Sequence, residues 1–552
     1  MSARRVYGID LGTTYSCIAH VDEHGKPVVL ANAEGEATTP SVVYFESADN
    51  VVVGEGAKGV VAIHPDLCVS TVKRSMGDPH WERSFHGKSY KPQAVSALIL
   101  RKVVGDAEKL LNEKVEDVVI TCPAYFGINE KEATKQAGEI AGLNVLYVIP
   151  EPTAAALAYG IDQKDDQVIL VYDLGGGTFD VTLIEIKGGD ITVICTGGDH
   201  QLGGKDWDDA LVTYLAQRFE EQTGTSADSL LEDLETYQEL LTDAEKCKKL
   251  LSSRESVSQS VSFGGEKVKV EISRATFNEL TAHLLERTLT LTQEELDKAQ
   301  AKGYARIDKL LLVGGSTYMP QVIEAVKSRF PFEVRQFDPN QAVAKGAALF
   351  GYKCYLGEQI RLRVAELTGQ QSEKVDLSVA DQKVIERAQE DVARNHGLSL
   401  VAVRTLHETR VTNVSSKSFG MVALNESHRD VVFNLILVNQ QVPKTISQEF
   451  FTVAEGQTRV DMRCMENRLT SEQVEISDSA LIGETVLTFS RPVPQGSPIE
   501  VTFDLGPDGL LKVHGRDLTT GGEIRTEIET KSILSREEVI EARDQNRALD
   551  VA

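Results

Sequence analysis

Two apolar segments separated by a short polar, glycine-rich stretch are the clearest pattern in the chain. Residues 168–173 (VILVYD) and 181–186 (VTLIEI) have the composition of buried strands. Between them the sequence carries the acids Asp173 and Asp180, a run of three glycines and Thr178. Glycines let backbone N–H groups curl around an anion at close range, and the threonine hydroxyl adds a donor. The pattern predicts a hairpin whose turn binds phosphate, with a purely structural hairpin loop as the alternative.

The same arrangement occurs near the start of the chain, in residues 6–21 (VYGIDLGTTYSCIAHV). An Asp-Leu-Gly triplet follows a strand at residues 10–12 and again at residues 173–175, each time before a second strand. This repeat is typical of an internal duplication and predicts two similar halves that close on one polyphosphate. Because a bare carboxylate repels phosphate, Asp10 and Asp173 predict a metal ion between the acids and the phosphates.

A third glycine-rich turn lies within residues 310–330, which are predicted to form a buried strand, a Gly314-Gly315-Ser316 turn and an amphipathic helix. The glycines would let the backbone approach a flat ligand such as an adenine–ribose unit. The nearest segment to a Walker P-loop, residues 197–206, has the wrong glycine spacing and carries Asp206 where Ser or Thr is required. The sequence also lacks a dinucleotide-binding G-x-G-x-x-G after its first strand.

Residues 118–160, between the two hairpins, predict a strand, a turn at Pro123, a helix, a second strand and an alanine-rich helix. Pro152 suits the first position of that last helix. Glu151, just before it, would hold a water molecule or a metal-bound water, or else compensate the partial charge of the helix N-terminus.

Composition and charge narrow the class of protein. The 552 residues, 41% of them hydrophobic, are enough for several cores, since single cores stop growing near about 250–300 residues. With 58 Lys and Arg against 83 Asp and Glu, the net charge of −25 disfavours nucleic acid and anionic membranes as partners. The seven scattered cysteines contain no C-x-x-C pair and predict free thiols. Because no apolar signal segment is present, we expect a cytoplasmic protein.

Several blocks of sequence together resemble one known family, the 70-kDa heat-shock chaperones (DnaK-like chaperones). The blocks are GIDLGTTYS (8–16), VVITCPAYF (118–126), EPTAAALAYG (151–160), DLGGGTFDV (173–181), LGGKDWD (202–208), AEKCKKLLS (244–252) and LLLVGGST (310–317). The resemblance covers residues 4–357 almost without gaps. It implies an α/β, actin-like, two-lobed ATPase domain that binds ATP and ADP with Mg²⁺.

The resemblance also implies roles for individual residues. The expected catalytic set is Lys73, Glu151, Asp173, Thr178 and Asp10, of which Asp10 and Asp173 would face Mg²⁺, while Asp180 would face a monovalent cation such as K⁺. The expected ATP-binding set is Gly12, Thr13, Thr14, Tyr15, Gly175, Gly176, Gly177, Glu245, Lys248, Ser252, Gly314, Gly315, Ser316 and Tyr318. Two positions depart from the family pattern: Tyr318 replaces an arginine that stacks on adenine, and Asn340 replaces an acid near the nucleotide.

The remaining chain predicts three further parts, after an ATPase domain at residues 1–357. Residues 358–411 form a connector that lacks the family's short acidic, leucine-rich linker. Within it, residues 376–397 predict a helix capped by Ser378 and ended by Gly397, a spacer helix rather than a dedicated partner site. Residues 412–530 are expected to form an all-β sandwich, and residues 531–552 a short helical tail without the family's helical lid bundle.

The strand-rich part resembles the family's peptide-binding domain, where an extended peptide adds backbone hydrogen bonds and a pocket takes one apolar side chain. The positions that match the pocket and its arch are Met421, Leu424, Phe450, Val453, Val460 and Met462. Without the resemblance they would be interpreted as core residues of a sandwich. A pocket without a lid is expected to release peptide quickly.

Two functions of different classes follow from these observations. The first is an ATP-dependent chaperone of the protein-folding and stress-response type, which hydrolyses ATP to gate binding of unfolded polypeptide and works with a J-domain co-chaperone and a nucleotide exchange factor. The second is a nucleotide-gated scaffold or exchange-factor-like protein with one dedicated partner and little ATP turnover. A sugar kinase on the same actin-like fold is disfavoured by the predicted sandwich.

Overall fold

Two large sheets with the same internal strand order lie at the centre of the molecule. The computed structural model describes residues 5–160, 165–507, 509–521, 523–527 and 534–552. Lobe I, the first half of a two-lobed region, consists of β1 (Val6–Asp10), β2 (Tyr15–Val21), β3 (Pro27–Val29), β4 (Thr39–Pro40), β5 (Val42–Tyr44), β6 (Asn50–Val53), α1 (Glu55–Val60), β7 (Cys68–Ser70), β8 (Arg83–Phe85), β9 (Lys88–Tyr90), α2 (Pro92–Leu111), β10 (Asp117–Cys122), α3 (Ile128–Ile140), β11 (Asn144–Pro150) and α4 (Glu151–Gly160).

Lobe II repeats this plan around the second hairpin. It consists of β12 (Gln167–Leu174), β13 (Phe179–Lys187), β14 (Asp190–Asp199), α5 (Gly204–Thr223), α6 (Ala227–Glu232), α7 (Leu234–Leu251), β15 (Ser256–Phe263), β16 (Glu266–Ser273), α8 (Arg274–Leu280), α9 (Ala282–Ala301), β17 (Lys309–Val313), α10 (Pro320–Arg329) and β18 (Glu333–Gln336). The sheet of lobe I has the order β11-β10-β1-β2-β3, and that of lobe II the order β18-β17-β12-β13-β14. In both, an antiparallel hairpin (β1–β2, β12–β13) is followed by a parallel strand (β10, β17), which confirms the predicted hairpins and the internal repeat.

A long helix and a helical hairpin follow lobe II: α11 (Ala342–Thr368), α12 (Gln382–His396) and α13 (Leu400–Glu408). The α11 helix crosses α4 at a very short distance, which the absence of a side chain at Gly346 permits. A Cβ at this position would lie 1.7 Å from the Ala154 carbonyl oxygen. The predicted domain boundary at residue 357 falls inside α11. The predicted connector helix is present as α12, and Gly397 ends it in the left-handed conformation.

The start of α12 differs from the sequence prediction. Asp381, and not Ser378, is the N-cap, and its carboxylate accepts a hydrogen bond from the Lys383 backbone N–H at 2.8 Å. Ser378 is engaged in an earlier turn, where its backbone N–H and hydroxyl both donate to the Asp376 carboxylate. An aspartate turn therefore displaces the helix start by a few residues.

The two connector helices pack into the two-lobed region as part of its core. Buried side chains of α12 and α13 belong to the same apolar cluster as the central strands and α11. They are Ile385, Ala388, Val392, Ala393, Val403 and Leu406. The Arg363 guanidinium of α11 also donates two hydrogen bonds to Asp391, at 2.8 and 3.0 Å. The connector is thus a fixed element rather than a flexible tether.

The strand-rich part forms two facing sheets. Its strands are β19 (Val411–Val414), β20 (Ser418–Leu424), β21 (Asp430–Ile436), β22 (Gln441–Val442), β23 (Lys444–Phe451), β24 (Gln457–Asn467), β25 (Gln473–Val474), β26 (Ala480–Val493), β27 (Pro498–Leu505), β28 (Leu511–Asp517) and β29 (Glu523–Glu527). One sheet has the order β25-β21-β20-β24-β26 and the other β23-β27-β28-β29, with an apolar core between them. The predicted end of this domain at residue 530 lies outside the described residues.

Two of these strands, β19 and β22, do not join the sandwich sheets but extend the sheet of lobe II in the order β14-β19-β22. β19 lies parallel to β14 in the sheet of lobe II, with Val411 opposite Ile191. It connects α13 to the sandwich and contains no leucine. The backbone hydrogen bonds of a strand need no particular side chain, so a search for a leucine-rich segment could not find β19.

The tail returns to lobe I. It contains the predicted short helix, α14 (Arg536–Arg547), and a final strand, β30 (Asp550–Val551), which pairs in parallel with β6. Leu549 is 3% exposed and belongs to the apolar core of lobe I. All seven cysteines are free, as predicted. A helix suited to crossing a bilayer does not occur in the part of the chain that the structure describes.

Candidate functional site

A deep cavity of about 720 Å³ lies between the two lobes. Its walls come from both hairpin turns, the start of α4, the inner face of α7 and the turn after β17. The structure brings nearly the whole predicted ATP-binding and catalytic set to this cavity. Gly177 and Asp180 are the exceptions, since neither contributes to the cavity wall.

The two hairpin turns touch each other at the bottom of the cavity. A Cβ at Gly176 would lie 1.7 Å from Thr14 Oγ1, and one at Gly177 would lie 2.3 Å from Thr13 Cγ2. Both glycines are therefore required by direct contact between the lobes. This close approach explains why the sequence interrupts two strands with glycines, and it places both turns in the wall of one cavity.

The floor of the cavity carries acids and one lysine. Lys73, 6% exposed, donates a hydrogen bond to the Glu151 carboxylate at the start of α4. Loss of hydration in the cleft raises the pKa of Asp10 to about 7, and the charge of Glu151 adds to this, whereas Lys73 opposes it. Burial, with Glu151 and Asp10 nearby, also raises the pKa of Asp173 well above its usual range. The floor thus holds more negative charge than Lys73 balances, an arrangement that a divalent cation would relieve.

The donor set fits a magnesium ion that shares its ligands with a phosphate. Among the described residues no group of three or more His, Cys, Asp and Glu side chains forms a metal site by itself. Mg²⁺ usually keeps several waters and binds one or two carboxylates together with substrate phosphates. Asp10 and Asp173, at the ends of β1 and β12, are the carboxylates available for such a site.

Asp180 lies behind the floor rather than on it. It is 1% exposed, and its carboxylate accepts a hydrogen bond from the Ala124 backbone N–H at 2.8 Å. Burial raises the pKa of Asp180 well above its usual range, with further increases from Glu151 and Asp173. A buried carboxylate with so little compensation is chemically suited to a monovalent cation or to a proton.

The nucleoside end of the cavity is formed by α7 opposite the turn after β17. Glu245 and Lys248, three residues apart, lie on one face of α7, and Ser252 is its C-cap. Tyr318, 47% exposed, follows Gly315 at the opposite rim. A Cβ at Gly315 would lie 3.1 Å from Asn340 Oδ1, so this glycine also permits a close approach.

Lys58 and Lys249 belong to this end of the cavity and were missed by the sequence analysis. Lys58 of lobe I and Lys249 of α7 form ion pairs with Glu245 at 2.5 and 2.8 Å. Although burial raises the pKa of Glu245, these two lysines lower it to about 2. Both lysines also donate to the Tyr15 hydroxyl. No sequence pattern around Lys58 indicates its role, because its partner Glu245 is distant in sequence and comes close only in the folded protein.

Asp208 is a further cavity residue that sequence reasoning did not single out. It accepts a hydrogen bond from Lys248 at 2.7 Å, and Lys248 also donates to the Gly204 carbonyl at 2.8 Å. Burial raises the pKa of Asp208 to about 6, although Lys248 opposes the shift. Asp208 lies in the segment LGGKDWD, but its partner Lys248 becomes apparent only from the packing of α5 against α7.

The predicted peptide-binding residues fall into two groups. Met421 and Met462 are buried in the sandwich core, and Phe450 and Val460 pack against them partly buried. Leu424 and Val453 are 37% and 53% exposed at the surface of the sandwich. The structure therefore brings four of the positions into one apolar cluster and leaves the other two accessible.

The sandwich contacts lobe I directly. The Ser416 hydroxyl donates to the Phe126 carbonyl at 2.8 Å, and the Ile128 backbone N–H donates to the Glu466 carboxylate at 3.3 Å. The Ile128 side chain lies in the core cluster of the sandwich. The α3 helix of lobe I thus begins inside the interface between the two domains.

Comparison with protein families agrees with this architecture. A family model described as Hsp70 protein matches residues 6–83, 77–359 and 401–551. Between the matched segments, residues 360–400 are unmatched, and they contain the end of α11 and all of α12, the part of the connector without a counterpart in the resemblance. Members of the family are ATP-dependent chaperones that bind ATP and ADP with Mg²⁺ and act on unfolded polypeptides together with co-chaperones. This chain, matched over most of its length, belongs to the Hsp70 family of 70-kDa heat-shock proteins.

Proposed function

We propose that this protein hydrolyses ATP in the cavity between its lobes and uses the reaction to control binding of extended apolar polypeptide by the sandwich. One observation carries the proposal: the floor of the cavity combines two touching glycine turns, the Lys73–Glu151 pair, Asp10 and Asp173. These are the groups needed to hold a triphosphate, neutralise its charge and orient a water molecule.

The side chains divide the work of phosphoryl transfer to water. The backbone N–H groups of residues 12–15 and 176–178 hold the phosphates, assisted by the hydroxyls of Thr13 and Thr178, whereas the Gly175 N–H closes the turn by donating to the Thr178 carbonyl. Lys73 neutralises charge on the terminal phosphate, and the carboxylate of Glu151 orients the attacking water. Mg²⁺, held through Asp10 and Asp173, supplies charge neutralisation when it is bound with the nucleotide. Little covalent chemistry is left to the protein, so positioning accounts for most of the catalysis.

A short route connects the sandwich with the catalytic glutamate. The Thr153 hydroxyl donates to the Asn413 side-chain oxygen at 2.9 Å. Asn413 lies in β19, which leads into the sandwich, and Thr153 follows Glu151 by two residues in α4. Movement of the sandwich would therefore act on the helix that positions Glu151, and by reciprocity nucleotide state would act on the sandwich.

The peptide site is proposed at the apolar cluster around Met421 and Met462, entered between Leu424 and Val453. Methionines give a pocket that adapts to different side chains. The α14 helix packs on α2 and α3 of lobe I, where it makes part of the lobe's surface instead of a cover for the sandwich. For this reason we propose fast release of bound peptide.

Partners and ions are proposed from family membership. They are a J-domain co-chaperone, a nucleotide exchange factor and, at Asp180, K⁺. A cytoplasmic location and a role in the stress response belong to the same proposal.

Single-turnover ATP hydrolysis tests the proposal, measured with and without an extended apolar peptide on the wild type and on Lys73→Ala. We expect hydrolysis in the wild type, stimulation by peptide, and a loss of at least about 100-fold in Lys73→Ala, because the terminal phosphate loses its counter-charge. Lys109→Ala, an exposed lysine in the last turn of α2 in the same lobe, is the matched control. A hydrolysis rate that changes neither on addition of peptide nor in Lys73→Ala would refute the proposal.

A nucleotide-gated scaffold is the second candidate, and the connector favours it. The buried contacts of α12 and α13 hold the start of β19 firmly on the ATPase region, which is compatible with a permanently docked sandwich. In that case ATP would bind tightly and be hydrolysed slowly, and peptide would leave the rate unchanged. The same experiment separates the two functions.

A further inference from the structure

The residue next to Lys73 makes contacts that the proposed reaction does not yet use. Lys73 and Arg74 lie in a single 3-10 turn, Val72–Ser75, in lobe I. Lys73 turns toward Glu151, whereas Arg74 extends to lobe II. Adjacent cations in sequence thus have partners on different sides of the cleft.

Arg74 binds two groups at the edge of the glycine turn of lobe II. Its Nε donates to the Gly177 carbonyl at 2.9 Å, and its Nη2 donates to Asp206 Oδ2 at 2.7 Å. The two side chains of this ion pair are only 17% and 22% exposed. A guanidinium that reaches two fixed acceptors in a partly buried place is held much more firmly than a surface ion pair.

Both acceptors belong to the phosphate-binding part of lobe II. Asp206 Oδ2 also accepts from the Gly203 backbone N–H at 2.7 Å at the start of α5. The backbone N–H groups of Gly204 and Lys205 donate to the carbonyls of Gly175 and Gly176, at 3.0 and 2.8 Å. The glycine turn is therefore fixed to α5 from within lobe II, and Arg74 connects the same unit to lobe I.

The turn that carries Lys73 needs such support. It begins at Thr71, whose φ of 55° lies in the left-handed region that β-branched residues rarely adopt. On one side the turn is anchored in lobe I, because Val72 and Met76 are buried in its core. On the other side the anchor is Arg74. Local conformational preference alone does not stabilise this turn.

We propose that Arg74 is a positioning residue, which ties the Lys73 turn to the glycine turn of lobe II so that Lys73 is correctly placed only when the lobes are closed on a nucleotide. The proposal rests on the proposed ATPase function for its kinetic consequence. Arg74 itself needs no contact with substrate, because it acts through the backbone positions of Lys73 and Gly177.

The kinetic test compares ATP affinity with single-turnover rate in the full-length protein. We expect Arg74→Ala to lower the rate about 10- to 100-fold, the effect of misplacing a catalytic group, while the Kd for ATP changes less than about threefold. Arg74→Lys should recover part of the rate, since an ammonium reaches one of the two acceptors but not both. Arg83→Ala, an exposed arginine of β8, is the control and should behave as the wild type.

A second variant tests the contact from the opposite side. Asp206→Asn keeps an oxygen for the Gly203 N–H and removes the ion pair. It should lower the hydrolysis rate of the wild type but have no further effect in the Arg74→Ala background. Additive effects of the two substitutions, or an Arg74→Ala variant that hydrolyses bound ATP at the wild-type rate, would overturn the proposal.

Hydrogen exchange separates this proposal from the ATPase proposal. In the wild type, Mg·ATP should slow amide exchange in residues 70–77, and this protection should be lost in Arg74→Ala but retained in Arg83→Ala. The exchange result does not depend on hydrolysis. The proposed role of Arg74 can therefore be tested even if the wild-type protein binds ATP without hydrolysing it. Equal protection in the wild type and in Arg74→Ala would show that Arg74 does not hold the turn.

Discussion

At the residue scale, Asp10 shows that a buried acidic site lowers the stability of the folded protein when no cation or nucleotide is bound. Loss of hydration and the charge of Glu151 raise the pKa of Asp10 to about 7, whereas in an unfolded chain it is about 3.9. Between about pH 4 and pH 7 the folded state therefore binds more protons than the unfolded state. Stability without nucleotide should fall as the pH rises through this window.

The prediction is that Asp10→Asn raises the melting temperature of the nucleotide-free protein at pH 8 and flattens its pH dependence between pH 5 and 8. Adding Mg·ATP should stabilise the wild type, and removing Mg²⁺ with a chelator should reverse much of that gain. Asp22→Asn, at an exposed turn after β2, is a suitable control that should leave the pH dependence as it is. Calorimetry across this pH range is the measurement, and an unchanged slope in Asp10→Asn would contradict the account.

Many of the residues that the sequence predicted for the cavity lie in a local pattern, whereas Lys73 was identified by the family resemblance alone. Gly176 and Thr178 lie between two strands, and Glu245 and Lys248 are spaced for one helix face. Lys58 has no such pattern, because its pairing with Glu245 arises from closure of the two lobes. Contacts between lobes follow from the fold and are not encoded in any short segment.

At the element scale, the strands and helices of the ATPase region followed the period of their apolar positions, whereas the tail did not. The pattern of residues 535–552 predicts a helix, which is present as α14, but nothing in it predicts that β30 pairs with β6. The strand is very short, and its attachment depends on Leu549 and on Arg101, which donates to the Asn546 and Leu549 carbonyls. Its stability comes from burial at a site more than four hundred residues away in sequence.

Leu549→Ala should detach the tail from lobe I. Removing a fully buried leucine side chain costs about 2–5 kcal/mol, and the short strand has few other contacts to replace it. Hydrogen exchange should then become faster in β30 and at its partner β6, while the central sheets keep their protection. Ile540→Ala in α14, where the side chain is 44% exposed, is the control. Unchanged exchange in β6 of Leu549→Ala would show that the tail is held elsewhere.

At the scale of the whole molecule, the interface between lobe I and the sandwich carries unbalanced charge. Glu130 of α3 and Glu466 of β24 meet there, with Lys417 3.5 Å from the Glu466 carboxylate. Glu130 Oε2 is buried and without a hydrogen-bond partner. Burial and the charge of Glu466 raise the pKa of Glu130, and Lys417 offsets only part of this. One lysine thus serves two carboxylates across the boundary between domains.

Docking of the sandwich should therefore take up a proton. A carboxylate whose pKa is raised in the docked state favours docking at low pH, and this advantage is lost as the pH rises through the raised pKa. Glu130→Gln mimics the protonated form, so we expect it to tighten docking at pH 8 and to remove the pH dependence, which domain-distance measurements by fluorescence energy transfer would detect. Glu139→Gln in the same helix is the control. Because docking places β19 and Asn413 beside the helix of Glu151, the same substitution should also make peptide-dependent ATP turnover less sensitive to pH. A wild-type protein whose domain distance stays constant from pH 5 to pH 8 would exclude a role for this glutamate pair.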